Sequence, residues 1–180
     1  MLLSQRWLVL GGLLSLGVCL GGCPAVVMPV AGVISAVGAV GEFPECHIPP
    51  EEDEWAAQVL DLVNQERTSR GLNALQANAG LAREADIEAC EMIHYDYFDH
   101  VNPVTGTTPM DRFAASGFKG LIFGENLAAG VPTPAEVVTG WMNSPDHRDN
   151  ILDPEFTHLG VGVRLGGEYR IYWVQLFGGV

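Results

Sequence analysis

Two hydrophobic regimes divide the chain. From Trp7 to Gly41 apolar residues run without one charged side chain, while from Glu42 onward apolar positions recur at helix and strand periods. Glu51-Glu52-Asp53-Glu54 predicts a helix start, with acids where the helix dipole favours them. Trp55, Val59, Leu62 and Val63 follow at i, i+4, i+7 and i+8 as one apolar stripe, and Gly71 ends the helix after Arg67 and Arg70. Asn78 caps a second helix that buries Leu81, Ala85, Ala89, Met92 and Ile93. Thr108-Pro109-Met110-Asp111 opens a short third helix, stopped by Gly117. Thr133-Pro134-Ala135-Glu136 reads as a complete capping box ahead of Val137, Val138 and Trp141. Ser144-Pro145 restarts a short helix through Ile151. Gly120–Leu127 reads as a strand. Leu159–Leu165 and Glu168–Phe177 flank Gly166-Gly167 as a hairpin. Helices first and a hairpin last predict an α+β fold rather than repeated βαβ units.

The amino-terminal regime has the layout of an export signal. Met1–Arg6 carries one cationic side chain, and the apolar stretch from Trp7 to about Leu20 follows it. Leu20-Gly21-Gly22-Cys23 resembles a bacterial lipoprotein box. That resemblance implies cleavage before Cys23, diacylglycerol on its sulfur and a membrane partner through the lipid. The competing readings are an ordinary signal peptide with a chance Cys, or an uncleaved anchor, since Pro24–Val40 is also apolar. Recurrent Gly and Pro argue against a spanning helix there. The resulting division is residues 1–22 as signal peptide, 23–50 as a lipidated Cys with a Gly/Pro-rich linker, and 51–180 as one domain.

Charge narrows the partners. The chain carries a formal net charge of -13, and Arg6 is the only charged side chain before Glu42. A domain this acidic repels phosphate backbones, so nucleic acid is excluded as a natural partner. Of the four cysteines, Cys19 lies in the signal and Cys23 is the lipidation candidate. Cys46 and Cys90 remain as an even pair in an oxidising compartment, available for one disulfide or as two free thiols.

Several segments in order carry a family resemblance. They are Val63-Asn64-Gln65-Glu66-Arg67, Gly71-Leu72 and Leu75, Phe98-Asp99-His100, Gly124-Glu125-Asn126-Leu127-Ala128-Ala129-Gly130, and Trp141-Met142-Asn143-Ser144-Pro145-Asp146-His147-Arg148-Asp149-Asn150-Ile151. Phe156-Thr157, Leu159-Gly160-Val161-Gly162-Val163 and Tyr172-Trp173-Val174-Gln175 complete the set. From about Trp55 to the C-terminus the chain resembles the bacterial branch of the CAP superfamily, the cysteine-rich secretory and pathogenesis-related-1 (SCP) proteins. The resemblance implies an α-β-α sandwich with a central antiparallel sheet and a surface cleft of histidines and acids, metal-binding in some members. Carried over by position, the cleft residues are His100, Glu125 and His147, with Asp111 as a fourth candidate. The chain departs from animal and plant members at Pro154-Glu155-Phe156-Thr157, where they carry Gly-His-Phe-Thr, and it has His158 where bacterial members often carry an acid.

The cleft chemistry admits several readings. His100, His147 and Glu125 could hold Zn²⁺ or Mg²⁺/Mn²⁺ with an open position, or act as acid and base without metal. The blander readings are that His147 hydrogen-bonds its own helix turn, that Glu125 fixes a loop, and that Asp111 complements a helix dipole. His47 and His94 read as surface residues, and Arg148 and Asn150 as braces. There is no Gly-x-Ser-x-Gly elbow, no His-Glu-x-x-His and no phosphate-binding Gly loop. Three functions follow: a cell-surface binding module for a small-molecule, lipid or peptide ligand, a metal-dependent hydrolase of peptide or envelope material, or an interaction domain with a vestigial cleft.

Overall fold

A computed structural model of the chain describes residues 1–8 and 43–180. Cys19, Cys23 and most of the leader and linker lie outside the described residues. The helices are α1 (Glu52–Thr68), α2 (Ala79–His94), α3 (Pro109–Ala115), α4 (Pro134–Asn143) and α5 (Pro145–Leu152). The strands are β1 (Leu2–Leu8), β2 (Gln76–Ala77), β3 (Ile122–Ala129), β4 (His158–Gly166) and β5 (Arg170–Gly179).

Short-range signals set these boundaries. Asn78 Oδ1 accepts the Leu81 N–H at 3.0 Å and starts α2. Thr108 and Asp111 form a reciprocal capping box on α3, which the sequence suggested only as a cap with an acid. At α4 the expected box is half made. Thr133 Oγ1 accepts the Glu136 N–H, but the Glu136 carboxylate takes the Thr133 hydroxyl.

The strands assemble in the order β1-β3-β5-β4-β2. All pairs are antiparallel except β2 with β4, which pairs Gln76 with His158 and Ala77 with Leu159 in parallel. The sheet is therefore mixed at one edge, where the resemblance implied an antiparallel one. The hairpin turn runs through Gly167, Glu168 and Tyr169, so β5 starts at Arg170 rather than Glu168.

Side chains alternate across the sheet and feed two cores. Ile171, Trp173 and Phe177 of β5 pack with α1, α4 and α5 through Val59, Trp141 and Ile151. Tyr172, Val174 and Leu176 pack with α2 and α3 through Leu81, Met92 and Phe113. Helices thus cover both faces in an α-β-α sandwich. On β4 the α2 side is lined by Gly160 and Gly162. A Cβ on either would lie 2.2 Å from Ala82 N or 2.5 Å from Ala85 C, so α2 sits against bare strand backbone.

The packed body begins before residue 51. Phe43, Cys46 and Pro49 are buried, and His47 exchanges backbone hydrogen bonds with Leu165 at 2.8 and 2.9 Å. Cys46 and Cys90 are disulfide-bonded, with Cα atoms 5.3 Å apart, which fastens this segment to α2. His47 and His94 are exposed, and His94 hydrogen-bonds Glu45.

Candidate functional site

β3 organises the site because its neighbours Glu125 and Asn126 project to opposite faces, and both are fully buried. Glu125 faces α2 and α3. Arg112 of α3 donates from Nε to Glu125 Oε2 and from Nη2 to Glu125 Oε1, both at 2.9 Å. The same Nη2 holds the His100 carbonyl at 2.6 Å. His100 Nδ1 lies 2.6 Å from Glu125 Oε1. An ionised carboxylate only accepts, so the His100 Nδ1 carries a proton. Arg112 Nη1 also lies 2.7 Å from Glu88 Oε2 as an ion pair without hydrogen-bond alignment, and Tyr97 donates to Glu88 Oε1 at 2.9 Å. Burial pushes the Glu88 carboxyl well above the ordinary carboxylate range, the Arg112 charge pulls it back, and Glu125 adds to the push.

Asn126 faces α4 and α5. Its Nδ2 donates to Gln175 Oε1 at 3.0 Å and to the His147 carbonyl at 3.2 Å. Asn150 Nδ2 reaches Asn126 Oδ1 at 2.9 Å and Ser4 Oγ of β1 at 2.8 Å. His147 sits in the first turn of α5, and its Nδ1 lies 2.7 Å from Ser144 Oγ. That contact takes the hydroxyl that would otherwise cap α5, which has no side-chain cap. Burial lowers the His147 pKa, the Leu3 backbone pulls it up, and the His100 charge lowers it further. His147 is therefore neutral at neutral pH.

Of the four cleft candidates, His100 and Glu125 touch, His147 stands near enough for His100 to lower its pKa, and Asp111 stands apart. His100 and His147 are buried, and among the described residues each keeps an Nε2 with no hydrogen-bond partner. Glu125 holds His100 in place, but Arg112 and His100 occupy its oxygens. Asp111 is the reciprocal cap of α3, and its hydrogen bonds to Thr108 hold its carboxyl below the ordinary value. His158 stands elsewhere, with Nδ1 2.8 Å from Thr157 Oγ1 and its ring edge-on to Phe118.

The donor set decides what a metal could use. Among the described residues no three His, Cys, Asp or Glu side chains are grouped to hold an ion. A divalent ion held at a bare histidine Nε2 would take its other positions from water or a ligand. Glu125 is then the carboxylate behind a ligating histidine rather than a ligand.

The residues not anticipated are Glu88, Arg112, Tyr97, Ser144 and Gln175. One signal was available: Glu88 lies seven positions after Leu81 on the apolar stripe of α2, where a charge needs a buried partner. Arg67 carries the same signal on α1, eight after Val59. It is buried and donates to the carbonyls of Asn73, Ile151, Asp153 and Phe156 at 2.8–3.1 Å. Asn64 likewise braces the loop, exchanging hydrogen bonds with the Leu75 backbone at 2.7 and 3.0 Å. These two motif residues hold the fold together and stay outside the cleft.

Comparison with known proteins agrees with this fold. A profile of the cysteine-rich secretory protein family (CAP) matches residues 60–177. The uncharacterized protein YkwD of Bacillus subtilis is 40% identical over 129 residues, covering 72% of this chain and 49% of YkwD. The chain thus spans about half the length of that relative. An extracellular protein containing a SCP domain from Bacillus anthracis is 30% identical with a TM-score of 0.65, covering 74% of this chain and 45% of that one. An outer surface protein of Borrelia burgdorferi shares the fold at 23% identity and a TM-score of 0.66, covering 74% of this chain and 97% of its own. No helix among the described residues is long and apolar enough to cross a membrane.

Proposed function

The chain belongs to the cysteine-rich secretory protein (CAP) family, and from that premise we propose that it is a surface-displayed binding module whose His100/His147 cleft receives a ligand. It acts outside the cytoplasm, tethered by a lipid at Cys23. The observation that carries the reading is the pair of buried imidazoles. Both Nδ1 atoms are committed to the protein, and both Nε2 atoms lack a partner. Buried polar atoms are ordinarily satisfied, so these two bare ones support a ligand at the histidines. A small molecule, a lipid headgroup or a peptide can supply the missing hydrogen-bond partner. A divalent ion, when bound, adds positive charge for an anionic ligand.

The placement outside the cell draws support from two structural relatives, one named as an extracellular protein and one as an outer surface protein. The export signal and Cys23 point the same way. Glu125 is held by Arg112 on both oxygens, so the hydrolase alternative would take its base from a histidine Nε2 and not from the carboxylate. The same two atoms serve the binding reading, which asks for no proton transfer.

The test incubates the purified full chain with isolated cell envelope, with and without Zn²⁺ or Mn²⁺. Protein retained on the envelope and soluble fragments released from it are both measured. Retention without fragment release is expected, weakened about tenfold or more in the double variant His100→Gln, His147→Gln. Fragment release that the variant abolishes establishes the hydrolase instead. Equal retention of both proteins moves the ligand away from the cleft and overturns the reading.

A further inference from the structure

The protein carries a pattern for a ligand in its own β1. We propose that the edge of β3 beside the two histidines is a docking site for an extended, cationic peptide, added antiparallel, which Leu2–Leu8 occupies in the unprocessed chain. The inference rests on the binding-module reading and names its partner class.

β1 joins the sheet as an added peptide would. Seven residues pair with β3, from Leu2 opposite Ala128 to Leu8 opposite Ile122. Backbone pairing of this kind gives affinity without sequence preference, and side-chain contacts at alternate positions give selectivity. The strand runs across the site. The Leu3 backbone lies against His147, and Gln5 stands opposite Glu125. Gln5 Oε1 is buried with no partner.

Two positions are read closely. Ser4 Oγ donates to the Asp146 carbonyl at 2.9 Å and accepts from Asn150 at 2.8 Å. Arg6 lies two residues on, with Nε 2.8 Å from Asp153 Oδ2, a further ion pair to Glu155, and its guanidinium 5.8 Å from the Phe156 ring centre. Asp153, Glu155 and Phe156 thus make an acidic, aromatic seat for an arginine. Opposite Arg6, β3 places Gly124. A Cβ there would lie 2.9 Å from Phe156 Cζ, 3.1 Å from Asn150 Oδ1 and 3.2 Å from the Gln5 carbonyl. The missing side chain leaves room for the Phe156 ring and the Asn150 amide that form the seat, and for the Gln5 carbonyl of the added strand.

Cleavage before Cys23 would remove this strand with the leader. The exported domain would then present an unpaired β3 edge, the acidic seat and two bare imidazoles. Folded proteins rarely leave such an edge without a cover. The chemistry that restores it is an extended segment with a hydroxyl residue and an Arg two positions later.

The test uses full chains and a fluorescent synthetic peptide with the sequence of residues 2–8. In the wild type the tethered strand, at an effective concentration of about a millimolar, competes with the free peptide. A Ser4→Pro, Arg6→Glu chain has an unseated tether. It should bind the peptide one-to-one, about tenfold or more tighter than wild type does. A peptide with Glu at the Arg position should bind about tenfold more weakly. Adding Asp153→Asn and Glu155→Gln to the unseated chain should erase that preference. Hydrogen exchange on β4 and β5 checks that each chain is folded, and the single variant Arg6→Glu replaces the double one if folding fails. Equal affinity for the Arg and Glu peptides, or no peptide binding to a folded, unseated chain, overturns the proposal. Envelope retention that needs the histidines but is not displaced by the peptide also overturns it, while leaving the binding-module reading intact.

Discussion

The two faces of β3 solve the same problem with different chemistry. Toward α2 and α3, Glu125 is neutralised by a buried guanidinium that also serves Glu88. Toward α4 and α5, Asn126 joins Gln175 and Asn150 in an uncharged amide network. Each network fixes one histidine, His100 by a carboxylate and His147 by the Ser144 hydroxyl. The charged side is rigid but brittle, because removing one partner leaves a charge buried and unpaired. The amide side loses only a hydrogen bond when broken.

Arg112→Ala should break the comparison most sharply. It strands Glu88 and Glu125 and should cost about 3–5 kcal/mol of unfolding free energy in denaturant titrations. A loss below about 1 kcal/mol would mean that Arg112 does not compensate those carboxyls. Asn126→Ala, on the other face, should cost about 1–3 kcal/mol. Because the Arg112 and Asn126 side chains have no shared partners, the double variant should be additive within about 0.5 kcal/mol. Stronger coupling would show that the two networks form one unit.

The smallest effects are in pH, and they differ in sign between the faces. On α2, burial raises the Asp86 carboxyl to about 7, against the pull of Arg164. The folded protein then keeps a proton that the unfolded chain releases, so this contribution is full below the unfolded value and is lost as pH rises toward about 7. Stability of Asp86→Asn relative to wild type should therefore rise as pH increases through that window. His147 is lowered from 6.5, so the unfolded chain takes up the proton first. Its contribution is full above 6.5 and is lost as pH falls through the lowered folded value, and His147→Gln should remove that loss. Thermal unfolding of both variants between about pH 5 and 8 checks both signs.

Much of the scaffold was legible because its signals are short-range. The Asn78 and Thr108 caps act on N–H groups within one helical turn, and the Val59/Val63 stripe reports burial by period alone. Glu125, His100 and His147 were reached through a motif order rather than through derived geometry. Their division of labour was not legible. Glu125 could be taken for a metal ligand until Arg112 was seen on both of its oxygens. The parallel β2–β4 contact was also missed, since a two-residue strand has no period to read.

The helices, the closing hairpin, the acidic balance and the family can be read from the chain alone, because each is written within a few residues or in their order. That Glu88, Arg112 and Glu125 share one buried charge network, that Asn126 looks the other way, and that Leu2–Leu8 lies along β3 emerges only on folding. Those facts depend on which distant segments meet when the chain closes. Sheet register and buried ion pairs are settled there, by packing and desolvation, and no local pattern encodes them.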